Sequence, residues 1–499
     1  MKPGPLPRGP PVKTLVSTAP TFADAWRALR ARGSDEDEAP VREAAAQVVA
    51  DVRRRGDAAL LDYTSRWDRW MPASAAALAL GPADFAAAWR GLPEAGRRAL
   101  QLAADRVRAF HERERDAEVP EFTDRLGARL AQLTYPLARV GLYVPGGTAR
   151  YPSSVLMTAI PARVAGVGEV VVTTPGLFAT GAVDGWTLAA CHVAGVSRLF
   201  KVGGAQAVAA LAYGTATVPA VDKICGPGNA YVAAAKRLVF GQVDIDMIAG
   251  PSEILVLADA GASPAEVASD LLAQAEHDVR AVAVLVTPSK ALAAAVKAEV
   301  ARQLADLPRK EIAGRSIAER GALVVTRTLA EAVKLADQFA PEHLAVHAAA
   351  ARSLVPKLTR AGAVFVGAST PEAVGDYLAG PSHVLPTAGT ARFASPLSVA
   401  TFRRRQSVIE FTPAARAAVA PAVEALAGAE GLLGHWRAVQ ARVEGMKVRA
   451  PRAAAKRTAP ARRPQGSRRP KPRSKQPSQS KQPSRSKARS SRSKRRGRN

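Results

Sequence analysis

The chain has 499 residues and a formal net charge of +27, from 70 lysines and arginines against 43 aspartates and glutamates. Of these, 21 basic and no acidic residues lie between Lys447 and Asn499, so the first 446 residues carry 49 basic against 43 acidic side chains. This near-neutral body gives no reason to expect a nucleic-acid-binding protein. With two cysteines in the whole chain, a disulfide framework is excluded.

The composition also bears on location and size. No stretch of sequence reaches the roughly 18 to 20 uncharged apolar residues that a membrane-spanning helix needs. The N-terminal segment MKPGPLPRGPPVK is too rich in proline for a secretory signal. We therefore expect a soluble, cytoplasmic protein, whose body at roughly 150 residues per domain should hold about two to four domains.

The predicted elements change character at about residue 139. Five prolines in the first dozen residues predict an extended arm within residues 1–20. Residues 21–138 predict helices, because Ala, Leu, Arg and Glu dominate and apolar positions recur at spacings of three and four. Beyond them, short runs rich in β-branched residues alternate with helix-length windows. These runs begin at Glu169, Arg198, Glu253, Ala281, Ala322 and Ala363.

Continuous apolar strands separated by helices predict parallel sheets covered on both faces, so the expected fold class is α/β. Two blocks, 139–246 and 247–390, meet at VDIDMIAGPSE, a segment typical of a crossing between domains. Residues 391–446 predict a C-terminal helical segment. Residues 447–499, rich in Ser, Lys, Arg and Pro, have too few large apolar residues to bury a core and predict a disordered tail.

The seven histidines fall into two groups. Three lie in helix or strand contexts without an acid placed to assist them, and we expect these to be structural: His111, His192 and His347. The other four lie near predicted element ends and close to a carboxylate: His277, His343, His383 and His435.

Gln274 and His277 in LLAQAEHD are three residues apart and would share one helix face near its C-terminal end. Donors at that spacing could hold a divalent metal, with further ligands from elsewhere in the chain. The alternative is a polar helix terminus, where the helix dipole favours histidine. An amide is an unusual metal ligand, so these residues alone leave both interpretations open.

Glu342 and His343 in APEHL lie between a predicted helix and a short strand. Neighbours with different pKa values could accept protons in successive steps, although a capped turn with solvated charges is the alternative. Asp376 in VGDY, seven residues before His383, offers an oxygen ligand.

Glu430 and His435 lie in the predicted C-terminal helical segment, in EGLLGH. Being five residues apart, they would point about 140° apart on a regular helix. Both can therefore reach one site only if the glycines of GLLG make a turn.

Glycine-rich turns recur at GLYVPGGTARYPSS, VGGAQA, ICGPGNAYV and IAGPSE, where backbone N–H groups could approach a phosphate or carboxylate. However, no G-x-G-x-x-G motif follows a predicted strand in the right order, so the dinucleotide signal is weak. The residues alone predict a metal-assisted α/β enzyme of unspecified reaction.

Nine motifs follow one another between about residue 20 and about residue 446: GLYVPGG, VGGAQAVAALAYGT, DKICGPGNAYVAAAK, IDMIAGPSEILVLAD, SDLLAQAEHD, FAPEHL, AGAVFVG, TPEAVGDYLAGPSHVLPT and AGAEGLLGH. In order and spacing, this series resembles the histidinol dehydrogenase family. The resemblance implies a zinc-dependent, NAD-linked, four-electron oxidation of L-histidinol to L-histidine through the aldehyde. It also implies a homodimer with incomplete Rossmann-like domains, the first of which contacts NAD.

The resemblance assigns roles to particular residues, with one Zn²⁺ per subunit. The implied zinc ligands are Gln274, His277, Asp376 and His435. The implied proton acceptors are Glu342 and His343. The implied substrate contacts are Ser252, Gln274, His277, His343, Asp376, His383, Glu430 and His435. The implied NAD contacts are Tyr143, Gln206 and Asn229.

The resemblance also implies that the C-terminal segment is exchanged between subunits, so that Glu430 and His435 complete the neighbour's site. Two alternatives stay open: a zinc and NAD-dependent dehydrogenase of a related amino alcohol or diol, and a nucleic-acid-associated protein recruited by its basic tail. The tail has no counterpart among the motifs. It is either a solvated appendage or a segment that binds nucleic acid or another anionic surface.

Overall fold

A computed structural model describes residues 12–32, 39–114, 119–146 and 150–449. Residues 1–11 and the tail from residue 450 onward lie outside this description, so the extended start of the arm and the disordered tail remain predictions. The chain divides into two units, one ending at Ala415 and one beginning at Arg416.

Helices and strands alternate through most of the described chain. The helices are α1 (Phe22–Arg30), α2 (Ala39–Arg55), α3 (Asp57–Asp68), α4 (Pro82–Gly91), α5 (Glu94–His111), α6 (Pro152–Ala165), α7 (Gly185–Ala194), α8 (Gly204–Tyr213), α9 (Ala230–Val239), α10 (Pro264–Ala275), α11 (Lys290–Leu304), α12 (Lys310–Arg320), α13 (Leu329–Phe339), α14 (Ala351–Leu354), α15 (Glu372–Tyr377), α16 (Pro413–Ala429) and α17 (Leu433–Arg449). Among the described residues, none of these helices combines the length and the apolar character needed to cross a membrane.

The strands are β1 (Lys13–Val16), β2 (Ala79–Leu80), β3 (Val119–Thr123), β4 (Ala128–Pro136), β5 (Arg139–Tyr143), β6 (Glu169–Thr173), β7 (Arg198–Phe200), β8 (Lys223–Cys225), β9 (Asp244–Ile245), β10 (Glu253–Ala258), β11 (Val282–Thr287), β12 (Ala322–Val325), β13 (His343–His347), β14 (Ala363–Val366) and β15 (Arg403–Phe411). The predicted α/β class is confirmed. Each of the six apolar runs that predicted a strand contains one, in β6, β7, β10, β11, β12 and β14.

Two six-stranded sheets share one topology. The first runs β2-β7-β6-β5-β8-β9 and the second runs β1-β12-β11-β10-β13-β14. Within each sheet, five parallel strands follow the order 3-2-1-4-5 of a dinucleotide-binding fold. An additional strand from the N-terminal region lies beside the third strand, antiparallel in β2 and parallel in β1.

The second sheet shows why its strands read as unbroken apolar runs. Every residue of β10 and β11 is buried, because helices cover both faces of a parallel sheet. Alternate side chains enter separate cores: Ile254 and Val256 pack in one, Leu255 and Leu257 in the other. The burial of both faces thus requires continuous hydrophobicity in place of an alternating pattern.

A three-stranded antiparallel sheet, in the order β15-β4-β3, was not predicted. Its strands β3 and β4 lie in the stretch expected to be helical, and β15 lies in the segment 391–446, also expected to be helical. The structure differs there because the sheet forms between distant segments, with Arg403 opposite Pro136 and Phe411 opposite Ala128. Local periodicity carries no information about such a pairing.

The described part of the second unit, residues 416–449, forms by itself a helical hairpin. Helix α16 ends at Ala429 and α17 begins at Leu433, so a turn separates Glu430 from His435. Gly431, with φ +72°, adopts the left-handed conformation at this turn. The structure therefore contains the turn that the sequence required for these two residues to serve one site.

Candidate active site

Glu342 and His343 lie at the amino-terminal edge of the second sheet, where α13 leads into β13. Glu342 occupies the connecting segment, as predicted, whereas His343 is the first residue of the strand. Glu253 begins the neighbouring strand β10, which pairs in parallel with β13. Both strand starts therefore face the same region, and Glu253 is in contact with both residues.

His343 is buried, and its Nδ1 lies 3.1 Å from the backbone oxygen of Glu253. Because a carbonyl oxygen only accepts, this contact assigns the hydrogen to Nδ1 and leaves Nε2 with its lone pair. Burial, opposed by the nearby Asp376 carboxylate and aided by His383 and His277, lowers the pKa of His343 to about 4. The imidazole is therefore neutral at physiological pH and able to accept a proton.

Glu342 is buried as well, and its Oε2 accepts a hydrogen bond from the backbone N–H of Glu253 at 2.9 Å. Burial raises the pKa of Glu342 well above its ordinary value, and the nearby carboxyl groups of Glu253, Glu372 and Asp376 add to the effect. Glu342 and His343 thus have pKa values displaced in opposite directions, as acid-base pairs in active sites often do.

Gln274 is the second-to-last residue of α10 and is fully buried. Among the residues that the structure describes, neither its Oε1 nor its Nε2 has a hydrogen-bond partner. An unsatisfied buried amide is costly, so this side chain is expected to meet a ligand. His277 follows the helix in an exposed position, and its backbone N–H donates to the backbone oxygen of Gln274 at 3.2 Å.

A group of donors suited to a metal ion comprises His343, Glu372 and Asp376, whose ligand atoms lie within 4.8 Å of one another. Asp376 was expected as a metal ligand, whereas Glu372 was not singled out from the sequence. Glu372 is buried, and its Oε1 lies 3.3 Å from Nδ1 of His343. The available signal was its position four residues before Asp376 on α15, which places both carboxylates on one helix face.

His383 links this edge to the first sheet. Its Nδ1 lies 3.1 Å from the backbone oxygen of Asp376, and its Nε2 lies 3.4 Å from Oγ of Ser154. Ser154 is in the first turn of α6, which follows β5 of the first sheet. Burial lowers the pKa of His383. The carboxyl-terminal edge of the first sheet and the amino-terminal edge of the second therefore meet at His383.

The expected cofactor residues lie at that carboxyl-terminal edge. Tyr143 ends β5, and its hydroxyl accepts a hydrogen bond from the Gly204 N–H at 3.1 Å. Gln206 is buried in α8, and its Oε1 has no hydrogen-bond partner among the described residues. Asn229 caps α9 by accepting the Val232 N–H at 3.1 Å.

The remaining expected site residues occupy two places. Ser252 is half-buried directly before β10, where its backbone oxygen accepts the Val282 N–H at 3.1 Å. Glu430 and His435 are exposed and belong to the helical hairpin of the second unit. Within the first unit, the structure thus groups Glu342, His343, Asp376 and His383 around one region.

For the histidines expected to be structural, the absence of a nearby acid was wrong in two cases. His111 Nδ1 lies 2.6 Å from Glu114, and His347 Nε2 lies 2.9 Å from Asp270. Both histidines are buried, and each acid satisfies one ring nitrogen. For the third, His192, the centre of the imidazole ring lies 5.8 Å from the centre of the Trp89 ring. The sequence could not show the partner of His347, because Asp270 comes from a different element, whereas Glu114 lies only three residues after His111.

Comparison with known proteins identifies the family. A sequence model described as histidinol dehydrogenase matches residues 31–443. Histidinol dehydrogenase of Chromobacterium violaceum is 52% identical over 432 residues, covering 86% of this chain and 98% of that protein. Histidinol dehydrogenase of Burkholderia pseudomallei is 50% identical over 437 residues, covering 87% and 98%. The crystal structure of histidinol dehydrogenase from Elizabethkingia anophelis matches with a TM-score of 0.81 and 32% identity, covering 87% of this chain and 99% of that one. The chain therefore belongs to the histidinol dehydrogenase family.

Proposed function

We propose that the protein oxidises L-histidinol to L-histidine through L-histidinal, using zinc and two NAD per turnover. The observation that carries the proposal is the buried, neutral His343 beside Glu342, at the edge that also holds Asp376. Family membership supports the same reaction. Such an enzyme would act in the last steps of histidine biosynthesis.

The residues present fit a zinc ion. Gln274 is fully buried, and both polar atoms of its side chain are without hydrogen-bond partners among the described residues. Burying an amide without hydrogen bonds costs free energy, and a metal ion bound to Oε1 would offset part of that cost. We assign Gln274, His277 and Asp376 as three ligands from one subunit and His435 as the fourth, supplied by the second subunit of a homodimer. When bound, zinc would anchor the imidazole and amine nitrogens of the substrate.

The residues at the first sheet fit NAD. Gln206 has a buried amide oxygen without a partner in the described chain, and Asn229 stands at the N-terminus of α9. Tyr143 ends β5, which lies in the sheet between β7, the strand before Gln206, and β8, the strand before Asn229. We assign these three side chains to cofactor binding, and NAD would supply the hydride acceptor for both oxidations.

In the first oxidation, His343 would take the hydroxyl proton at Nε2 as the carbinol carbon loses a hydride. Histidinol and NAD⁺ then give histidinal, NADH and one H⁺. Burial keeps this imidazole neutral, so that it is available as a base without prior deprotonation. Ser252, His383 and Glu430 would hold the substrate in position.

In the second oxidation, Glu342 would take a proton from water as the water oxygen bonds to the aldehyde carbon. Loss of hydride from the hydrate to a second NAD⁺ gives the carboxylate, so that histidinal, water and NAD⁺ yield histidine, NADH and two H⁺. The raised pKa of Glu342 brings its basicity closer to that needed for proton abstraction near neutral pH.

The test is the stoichiometry of the reaction. Zinc-loaded protein is mixed with L-histidinol and NAD, and NADH is counted against histidine by absorbance and chromatography. We expect two NADH per histidine, together with loss of activity on chelation and recovery on adding zinc. One NADH per product, or oxidation of other amino alcohols in preference to histidinol, would contradict the proposal.

A further inference from the structure

A buried ion pair lies directly behind Glu342. Arg32, which follows α1, donates through Nε and Nη2 to the two carboxylate oxygens of Glu253, with the Nη2 contact at 2.8 Å. The two side chains are 6% and 1% exposed. Nη2 of Arg32 also donates to the Phe339 oxygen at 2.8 Å, and the guanidinium lies 3.5 Å from the centre of the Phe339 ring. The guanidinium is therefore fixed in orientation by contacts on several sides.

Glu253 and Glu342 are joined by a reciprocal pair of hydrogen bonds. The Glu342 N–H donates to Oε1 of Glu253 at 3.2 Å, and the Glu253 N–H donates to Oε2 of Glu342 at 2.9 Å. Each glutamate thus uses its carboxylate to hold the backbone of the other. The side chain of Glu253 consequently sets where the Glu342 backbone lies, and the Glu253 backbone sets where the Glu342 carboxylate points.

The Arg32 guanidinium allows this arrangement to exist in a buried site. Two carboxyl groups packed against each other's backbones repel one another, and burial strengthens that repulsion. A bidentate guanidinium neutralises one of the two with a geometry that a lysine cannot reproduce. Without it, Glu253 would be a buried carboxylate with no counter-charge, and it would turn away from the Glu342 N–H.

We propose that Arg32 and Glu253 are positioning residues that hold Glu342 for the second, water-consuming oxidation. This inference rests on the proposed function, in which Glu342 activates water and His343 serves the first oxidation. A substitution of the Glu253 side chain should affect the two oxidations differently, because Glu342 and His343 contact different atoms of Glu253. Glu342 depends on the Glu253 side chain, whereas His343 contacts the Glu253 backbone oxygen at 3.1 Å, which a side-chain substitution retains.

The test measures each half-reaction in zinc-loaded Glu253→Gln, Arg32→Lys and Arg32→Ala proteins. Histidinal is supplied directly for the second oxidation, and it is captured by a carbonyl reagent when the first oxidation is followed. We expect kcat for histidinal to fall about 100-fold, as for a misplacement of about 1 Å, with KM almost unchanged. Oxidation of histidinol to histidinal should fall far less. Added guanidinium ion should restore part of the histidinal activity of Arg32→Ala.

Arg163→Ala is the matched control, because Arg163 also donates to backbone oxygens, at 2.7 Å to Gly195 and 3.0 Å to Val167, but lies on α6, away from Glu253 and Glu342. It should lower the melting temperature without changing the ratio of the two half-reactions, and guanidinium ion should not improve it. Equal losses in both half-reactions of Glu253→Gln, or the same ratio as in Arg163→Ala, would overturn the inference. If Arg32→Ala does not fold, the ratio of the two half-reactions in Glu253→Gln decides whether the inference stands. Failure of the parent protein to give two NADH per histidine would instead refute the proposed function.

Discussion

The two parallel sheets have the same strand order and yet place their candidate functional residues at opposite edges. In the first sheet, Tyr143 and Asn229 lie at the carboxyl ends of strands or just beyond them. In the second, Glu253 and His343 are the first residues of their strands. Ligands of such folds usually bind at the carboxyl ends, where the strand order reverses. Topology therefore indicates where the cofactor should bind but not where the acid-base residues lie.

At the carboxyl edge of the second sheet, an aspartate binds backbone N–H groups of the loops that follow two of the strands. Asp259, directly after β10, accepts the Ala349 N–H at 2.7 Å and the Gly261 N–H at 2.9 Å. These backbone donors are therefore already satisfied. In the first sheet, Gly226 follows β8 with φ +108°, and its backbone lies close to the backbone oxygen of Tyr143. Identical topology thus yields a glycine-rich edge in one sheet and a carboxylate-capped edge in the other.

Each sheet also has a buried ion pair at its functional edge. In the first, Lys236 pairs with Asp246, which accepts the Gly226 N–H at 2.7 Å, while Lys236 donates to the Gly226 oxygen at 3.1 Å. In the second, Arg32 pairs with Glu253, which accepts the Glu342 N–H. One pair holds a glycine turn and the other holds the backbone of Glu342. In both sheets the buried charges fix the position of the backbone at the site.

The largest expected effect is on kcat, and it compares substitutions of the two histidines at opposite ends of β13. His343→Asn should lower kcat for histidinol by about 100 to 10,000-fold, because the Nε2 proton acceptor is lost. His347, at the other end of the strand, already has Nε2 in contact with Asp270 at 2.9 Å. His347→Asn should therefore lower the melting temperature and leave kcat close to that of the parent. Steady-state kinetics and thermal unfolding give both values, and equal losses of kcat would contradict a functional difference between the edges.

Next in size is the effect of removing the unsatisfied amide. Gln274→Leu keeps the approximate volume, so the metal-free protein should gain about 1 to 3 kcal/mol in free energy of unfolding. Zinc affinity should fall by at least about 10 to 100-fold, since a ligand is lost. Denaturant unfolding of the metal-free protein and zinc titration against a chelator measure the two quantities. Unchanged zinc affinity would remove Gln274 from the ligand set.

At the first sheet, a pair of glycine substitutions separates backbone strain from steric contact. A Cβ at Gly226 would lie 2.2 Å from the backbone oxygen of Tyr143. A Cβ at Gly241, where φ is +101°, would meet no described atom within 4 Å. Both alanine variants should lose about 1 to 2 kcal/mol of stability from the left-handed conformation. Only Gly226→Ala should also raise KM for NAD, by about 10-fold, because the turn must move. A similar KM in the two variants would exclude this turn from cofactor binding.

The smallest effect concerns Asp68, which ends α3 and whose backbone oxygen accepts the Ala179 N–H at 2.9 Å. Burial raises the pKa of Asp68 to about 6. The folded protein thus holds this proton more tightly than the unfolded chain, so stability falls as pH rises from about 4 to about 6. Asp68→Asn should therefore gain about 1 kcal/mol at pH 7.5, allowing for partial solvent screening, and little at pH 4. Equal gains at both pH values, measured by denaturant unfolding, would refute this charge effect.

Several residues of the candidate site stand out in the sequence because they fall in motifs of unusual composition. Gln274 with His277, and Glu342 with His343, stand out as polar residues next to apolar runs. Glu372, Glu253 and Arg32 were not singled out, because each looks locally like an ordinary charged residue. Their burial becomes visible only when distant segments are brought together, as β10 and β13 are, and as Arg32 and Glu253 are.

The sequence by itself determined the α/β class and six strands of the two large sheets, because a sheet buried on both faces requires continuous apolar runs. It also determined which polar residues stand at element ends. Only the tertiary structure decided the three-stranded antiparallel sheet, the hydrogen bond from the Ala349 backbone to Asp259 and the contact between Arg32 and Glu253. These features depend on pairing between distant segments, whose free energy is shared between both partners and leaves no periodic signature in either one alone.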